Sequence, residues 1–274
     1  MRADLHVHST ASDGSLRPVE LVSLASLQRV DVLAVADHDS VDGVADAIEA
    51  GRRHGVTVVP AVELSAAVGE RSVHILGYYI DITDSDLLCE LAALREARMV
   101  RARSIVEALR ADGYPVSIDG VLLLSLGGAV GRTHVARALV DAGHATTVSD
   151  AFERLVGRGK PFYRPKELRT PAEVIRLISD AGGLAVLAHP GVSATGDLID
   201  ALIPLGLGGI EVYHADHTAA QKSLFAREAS DRRLIATGGT DFHSPDAPNP
   251  NLGDVDIPEA AIRAFLAAGA SRGQ

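Results

Sequence analysis

The sequence predicts an α/β fold, either a parallel sheet or an α/β barrel, interrupted by a helical segment. Three observations carry this expectation. Seven short apolar runs recur at 3–8, 32–36, 57–62, 73–80, 184–188, 209–213 and 234–239. Helical periodicity fills most gaps between them, as at 18–29, 42–54, 171–181 and 219–231, and alternating strand and helix units build parallel sheets. The alternation lapses before residue 184, where only helical patterns appear.

Individual elements carry their own signals. Pro18 and Pro171 stand where a first helical turn begins, a position at which the missing N–H is harmless. Residues 84–112 read as one long helix, with a cap near Thr83 and a stop at Gly113. Shorter helices are expected at 132–142 and 148–156. The expected domains are a first barrel part at 1–94, a helical insertion at 95–165 and a second barrel part at 166–274. A proline-rich loop over 244–257 precedes a short terminal helix.

Composition bounds the function. The 274 residues are 47% hydrophobic and 23% charged, which allows a large packed core and argues against disorder. No apolar run is long enough for a membrane span, and no signal region follows the N-terminus, so a soluble, cytoplasmic chain is expected. The single cysteine, Cys89, excludes an internal disulfide and a thiolate zinc finger. Its apolar surroundings predict a buried thiol. The net charge of −10 argues against long duplex nucleic acid as a partner. Residues 91–170 nevertheless hold 13 of the 26 Lys+Arg and 8 of the 36 Asp+Glu, so that segment is +5 and the remainder −15. An acidic body suits cations, and a basic middle suits an anionic substrate.

The chemistry concentrates at strand ends, where α/β folds build sites. In DLHVHS (4–9), strand alternation predicts that Asp4, His6 and His8 share a face. Two such imidazoles can chelate one ion, although a wet polar face is the plain alternative. ADHDS (36–40) ends an apolar run abruptly. Asp37 and His38 are ligand or acid–base candidates, and Asp39 is a candidate helix cap. Glu63 closes TVVPAVE, and a buried carboxylate is costly unless paired or metal-bound. His74 opens VHILGYYI, His189 ends LAVLAHP, and either alone could be structural. In GGTDFHS, Asp241 and His243 share a face. Nitrogen and oxygen donors of this kind suit zinc, manganese or iron.

The order and spacing of DLHVHS, ADHD, Glu63, AHP and GTDFH resemble the PHP (polymerase and histidinol phosphatase) family. The resemblance implies a distorted (β/α)7 barrel holding two or three divalent ions at its strand ends. By motif, His6, His8, Glu63 and Asp241 would hold one metal. Glu63 would bridge to a second, held also by His74 and His189. Asp13, His38 and His243 would hold a third, with Asp13 standing where some members have histidine. A helical insertion carrying GRTHVAR is similar to that of bacterial phosphatases of nucleoside 3′,5′-bisphosphates, some of whose relatives trim short RNA. GKPFYRPK (159–166) and EVYHADHT (211–218) add to the likeness. On that basis Arg132, His134, His217 and His214 are assigned to substrate phosphate.

The expected reaction is metal-dependent hydrolysis of a phosphomonoester on a nucleotide or short oligonucleotide. The nucleophile is expected to be a hydroxide shared by two metals, with Asp37, His38 or His217 serving acid–base steps. Two other readings remain open: a phosphatase of another small ester such as histidinol phosphate, or a metal-binding module without catalysis.

Overall fold

Seven strands follow one another in a single sheet in chain order: β1 (Ala3–Val7), β2 (Val32–Val35), β3 (Thr57–Val68), β4 (Arg71–Tyr78), β5 (Leu184–Leu187), β6 (Gly209–His214) and β7 (Ile235–Gly239). The computed structural model describes residues 1–69, 71–165, 168–193, 196–245 and 251–272. Lys166 of GKPFYRPK and residues 246–250 of the proline-rich loop lie outside them. The sheet curls into a nearly closed barrel. At the seam, the His8 N–H donates to the Phe242 carbonyl and the Asp241 N–H to that of His6, each at 2.9 Å.

The sheet is not wholly parallel. β4 runs antiparallel to both β3 and β5, while the remaining neighbours pair in parallel. The cause is local: β3 continues well past the expected end at residue 62, and its short connection to Arg71 leaves no room for a crossover, so the chain must return as a hairpin.

The helices are α1 (Pro18–Leu27), α2 (Val44–His54), α3 (Ser85–Ala111), α4 (Ile118–Leu124), α5 (Arg132–Asp141), α6 (Val148–Ala151), α7 (Pro171–Asp180), α8 (Pro190–Ser193), α9 (Gly196–Leu202), α10 (Ala219–Asp231) and α11 (Glu259–Ala270). A π-helical turn at Phe152–Val156 continues α6. The α3 cap is Asp84, whose carboxylate accepts the Leu87 N–H, rather than Thr83. Leu87, Leu91 and Leu94 of α3 pack into the core against β3, β4 and α7. Ala102, Ile105, Val106 and Leu109 of the same helix belong to a separate core with Val121, Val135, Leu139 and Val156. One uninterrupted helix therefore serves two cores. Cys89 is exposed, which corrects the expectation of a buried thiol: two residues beyond Leu87, it points away from the apolar stripe.

Gly239 marks the tightest point of the seam. A Cβ there would lie 2.4 Å from the His6 Cβ and 2.6 Å from its backbone nitrogen. Gly239→Ala is therefore expected to lower stability by at least about 1–3 kcal/mol. A thermal midpoint equal to that of the parent protein would contradict the tight seam.

Candidate metal centre and anion cleft

The strand ends at the open rim deliver one convergent set of nitrogen and oxygen atoms. His8 Nε2 lies 3.3 Å from His6 Nε2, 3.3 Å from Glu63 Oε2 and 3.0 Å from Asp241 Oδ1. Glu63 Oε1 lies 2.7 Å from His74 Nδ1 and 3.2 Å from His189 Nε2, while Oε2 lies 3.0 Å from His38 Nδ1. His243 Nε2 is 3.3 Å from Asp13 Oδ1. All nine expected ligand residues thus meet at one end of the barrel. Eight of them place donor atoms in sets within 4.8 Å, namely His6–His8–Asp241, His38–Glu63–His74 and His8–Asp13–His38–His243, and His189 joins through Glu63.

The donor chemistry fits bound cations. Several of the inward atoms are buried yet lack a hydrogen-bond partner, among them His38 Nδ1, His74 Nδ1, Glu63 Oε2 and Asp241 Oδ1. Such atoms are costly unless something positive satisfies them. Burial depresses the His6 and His8 pKa values, but the carboxylates around them outweigh it. They raise His8 to about 10 and His6 well above its usual value. Burial likewise raises Glu63, Asp13 and Asp241, yet the surrounding imidazoles hold all three well below the carboxylate range. His38 is the exception in the cage, where burial outweighs Glu63 and Asp13 and lowers its pKa to about 4.

A second layer fixes these groups. Glu211 accepts from His6 Nδ1 at 3.1 Å and from the His189 backbone N–H at 2.8 Å. That leaves His6 Nε2 facing the cage, the usual arrangement of a ligand histidine held by a carboxylate. Burial alone would raise the Glu211 pKa, but its imidazole neighbours, His6 foremost, bring it to about 2. Sequence reasoning missed Glu211, although an acid inside the apolar run GIEVY carries the same signal as Glu63. Thr133 of α5 donates to Asp13 Oδ2 at 3.0 Å, and Arg137 to the Asp13 carbonyl at 3.0 Å. The helical segment therefore braces one of the cage residues.

Several expectations need correction. A bulge between Asp4 and Val7 breaks the alternation of β1, so Asp4 does not join His6 and His8. Its carboxylate accepts from the Thr240 hydroxyl and N–H and from the Gly253 N–H. Asp37 is also turned away from the cage. Its oxygens accept from the Ser9 N–H, the Ser9 hydroxyl and the Ser12 hydroxyl, so it holds the loop after β1 rather than moving protons. Asp39 does not cap α2, whose first flanking residue is Gly43; it accepts from Arg98 Nε at 2.5 Å. His134 is buried, and its Nδ1 accepts from the Gly131 N–H at 2.9 Å, which makes it part of the α5 cap. Both nitrogens of His217 are engaged: Nε2 accepts from the Gly191 N–H and Nδ1 donates to the Val212 carbonyl. These contacts tie His134 through one nitrogen and His217 through both, and the one proton of a neutral His217 is committed to Val212.

Arg132 lines a basic cleft. A cleft of about 650 Å³ opens beside Asp13, His38 and His74 and continues between the barrel rim and the helical segment. Arg71, Arg98, Arg101, Arg132 and Arg158 line it, and Asp13 is the one carboxylate among the described lining residues. Arg132 packs its guanidinium over the rings of Phe152 and Tyr163, at 5.3 and 5.4 Å. Arg101 stacks on Tyr163 and donates to the Arg164 carbonyl. Burial and the neighbouring Arg132 lower the Arg101 pKa to about 10. Like charges held this close are relieved by an anion.

The PHP domain family matches residues 4–158. The chain belongs to the PHP domain family. It is 36% identical to a 3′,5′-nucleoside bisphosphate phosphatase of Chromobacterium violaceum, over 93% of this chain and 92% of that protein. It is 38% identical to the 5′-3′ exoribonuclease Rnm of Escherichia coli, over 88% and 85%. A solved structure from Bifidobacterium adolescentis, described as a metal-dependent phosphoesterase, superposes with a TM-score of 0.90 at 32% identity, covering 97% of this chain and 95% of that one. This PHP chain is a metal-dependent phosphoesterase, a hydrolase. Among the described residues, no helix is long and apolar enough to cross a membrane.

Two outcomes follow from the geometry. Glu211→Gln weakens the acceptor that orients His6, and metal affinity is expected to fall about 10- to 100-fold, read by competition with a chelator. An unchanged affinity would remove Glu211 from the support of the cage. The second concerns His134, whose pKa burial lowers to about 4. Its neutral form caps α5, so its contribution is complete above the unfolded value near 6.5 and is lost as pH falls toward 4. Over that window stability should drop by up to about 1.4 kcal/mol per pH unit. His134→Asn, whose amide oxygen can still accept from Gly131, should flatten the slope in denaturant titrations at fixed metal concentration.

Proposed function

We propose that this chain removes the 3′-phosphate from nucleoside 3′,5′-bisphosphates, using two or three divalent ions held by the nine cage residues. The observation that carries the reading is the continuity of a cation site with an arginine-lined cleft. A cage suited to cations opens directly into a cleft with five arginines. One phosphate beside the cage and a second against Arg132 and Arg101 would satisfy both. The 36% identity to a 3′,5′-nucleoside bisphosphate phosphatase supports the same substrate class.

Divalent ions in the cage would lower the pKa of water and neutralise phosphoryl charge; manganese, zinc and iron all suit imidazole and carboxylate donors. The chain's own contribution is orientation. His6, His8, Glu63 and Asp241 form one set, His74 and His189 share Glu63, and Asp13, His38 and His243 form the third. His38 Nδ1 lies 3.0 Å from Glu63 Oε2, which places the ring at the junction of the second and third sets. Arg132 is held rigidly by two aromatic rings, so little side-chain freedom is lost when it pairs with phosphate.

The relation to 5′-3′ exoribonucleases supports a second substrate for the same site. A short RNA with a terminal 5′-phosphate presents the same chemistry of two phosphates flanking one ribose.

A phosphate-release panel in added manganese tests the reading. Rapid release is expected from 3′-phosphoadenosine 5′-phosphate, little from adenosine 5′-phosphate, and none after chelation. Equal rates on the two nucleotides would overturn the bisphosphate preference, and faster turnover of a 5′-phosphorylated trinucleotide would favour the RNA substrate. Arg132→Ala should cost about 1.5–3 kcal/mol in kcat/KM on the bisphosphate, as expected for a lost hydrogen bond to a charged group, and far less on a monophosphate. Lysine should restore little of it, because it lacks the planar fork.

A further inference from the structure

His214 ends β6 beside the cage, and its two ring nitrogens stand in different situations. The Asp216 backbone N–H donates to Nδ1 at 3.1 Å. A ring nitrogen that accepts a hydrogen bond carries no proton, so the ring is neutral and its proton sits on Nε2. That donor is buried and has no hydrogen-bond partner. It lies 4.0 Å from Asp241 Oδ2, while Glu211 also has a carboxylate oxygen within 4.8 Å of a His214 ring nitrogen.

Asp241 divides its oxygens. Oδ1 lies inside the cage, 3.0 Å from His8 Nε2 and 3.5 Å from His6 Nε2. Oδ2 is the oxygen nearest His214. The Asp241 backbone has a φ of 53°, in the left-handed region, so no regular strand geometry fixes where its side chain points. Its direction depends on what its two oxygens meet.

The same hydrogen bonds remove His214 from the ligands. His6, Glu211 and His214 do place donor atoms within 4.8 Å of one another. Glu211, however, is already committed to His6 Nδ1 and the His189 N–H, and the inward nitrogen of His214 bears a proton. We infer that His214 is a positioning residue: its Nε2–H donates to Asp241 Oδ2 when the cage is loaded, which keeps Oδ1 turned toward His6 and His8. A donor on the outer oxygen of a ligating carboxylate fixes both its orientation and its basicity. The inference rests on the cage holding divalent ions.

Manganese binding to the whole protein tests it, by chelator competition for affinity and elemental analysis for stoichiometry. His214→Ala should bind as many ions at saturation as the parent protein, with affinity at one site lowered about 10- to 100-fold. His214→Gln, which keeps an N–H near the same place, should recover most of that loss. In an Asp241→Asn background, His214→Ala should have no further effect on affinity. The thermal midpoint of the metal-free variants reports folding, and His214→Leu replaces alanine if the smaller side chain leaves the protein unfolded.

An ion missing at saturation would make His214 a ligand and overturn the inference. So would unchanged affinity in His214→Ala, failure of glutamine to rescue, or a full loss persisting without the Asp241 carboxylate. A parent protein that binds no divalent ion would overturn the cage itself, which separates failure of that reading from failure of the role given to His214.

Discussion

Everything near the open rim of this barrel depends on the Glu63 carboxylate. It sits buried at the end of the parallel part of β3, with its oxygens between 2.7 and 3.4 Å from nitrogens of His6, His8, His38, His74 and His189. An isolated carboxylate could not remain charged at such a place. Five imidazoles drawn from four strands or the residues just after them make it possible, and they would have little reason to converge without it. The near closure of the barrel is what brings β1, next to β7 at the seam, within reach of β4 and β5.

The support of this core of charge is distributed unevenly. On the barrel side, buried acids that never enter the cage do the orienting: Glu211 beneath His6 and His189, Asp37 beneath the Ser9–Ser12 loop, and Asp4 across the seam to Thr240 and Gly253. On the other side the helical segment supplies the brace. Thr133 and Arg137 hold Asp13, and Arg98 pairs with Asp39 immediately after His38. The segment that carries the arginine-lined cleft thus also holds the rim of the cage, since Arg98 and Thr133 serve both.

The convergence at the rim was partly legible in the sequence, because His38 after VLAVA and Glu63 after TVVPAV have no packing rationale. The face rule does not reach Asp241, which lies beyond β7 with a left-handed backbone. The second layer was not legible for the opposite reason. Asp4 and Asp37 have the composition of ligands, and only the β1 bulge and the Ser9 and Ser12 hydroxyls reveal that they point elsewhere. His134 and His217 mislead in the same way, since a histidine that accepts a backbone N–H looks in sequence like one that grips phosphate. The arginine cleft was partly visible as a basic middle segment. Arg71, however, comes from the β4 hairpin, whose extension no local pattern announced. The hairpin itself also escaped, because periodicity reports a strand but not its direction.

The shared helix α3 gives the molecule a built-in ruler. Its first turns belong to the barrel core and its later turns to the core of the helical segment, with Arg98 and Arg101 on the stretch between. Each residue of an α-helix advances 1.5 Å and turns about 100°. The spacing between the arginine cradle and the hydrolytic rim is therefore set by an integer number of residues. Adding or deleting a single residue between Leu94 and Ala102 would swing one half of the site about a third of a turn from the other. The length of this stretch therefore carries as much of the site's geometry as any side chain that lines the cleft.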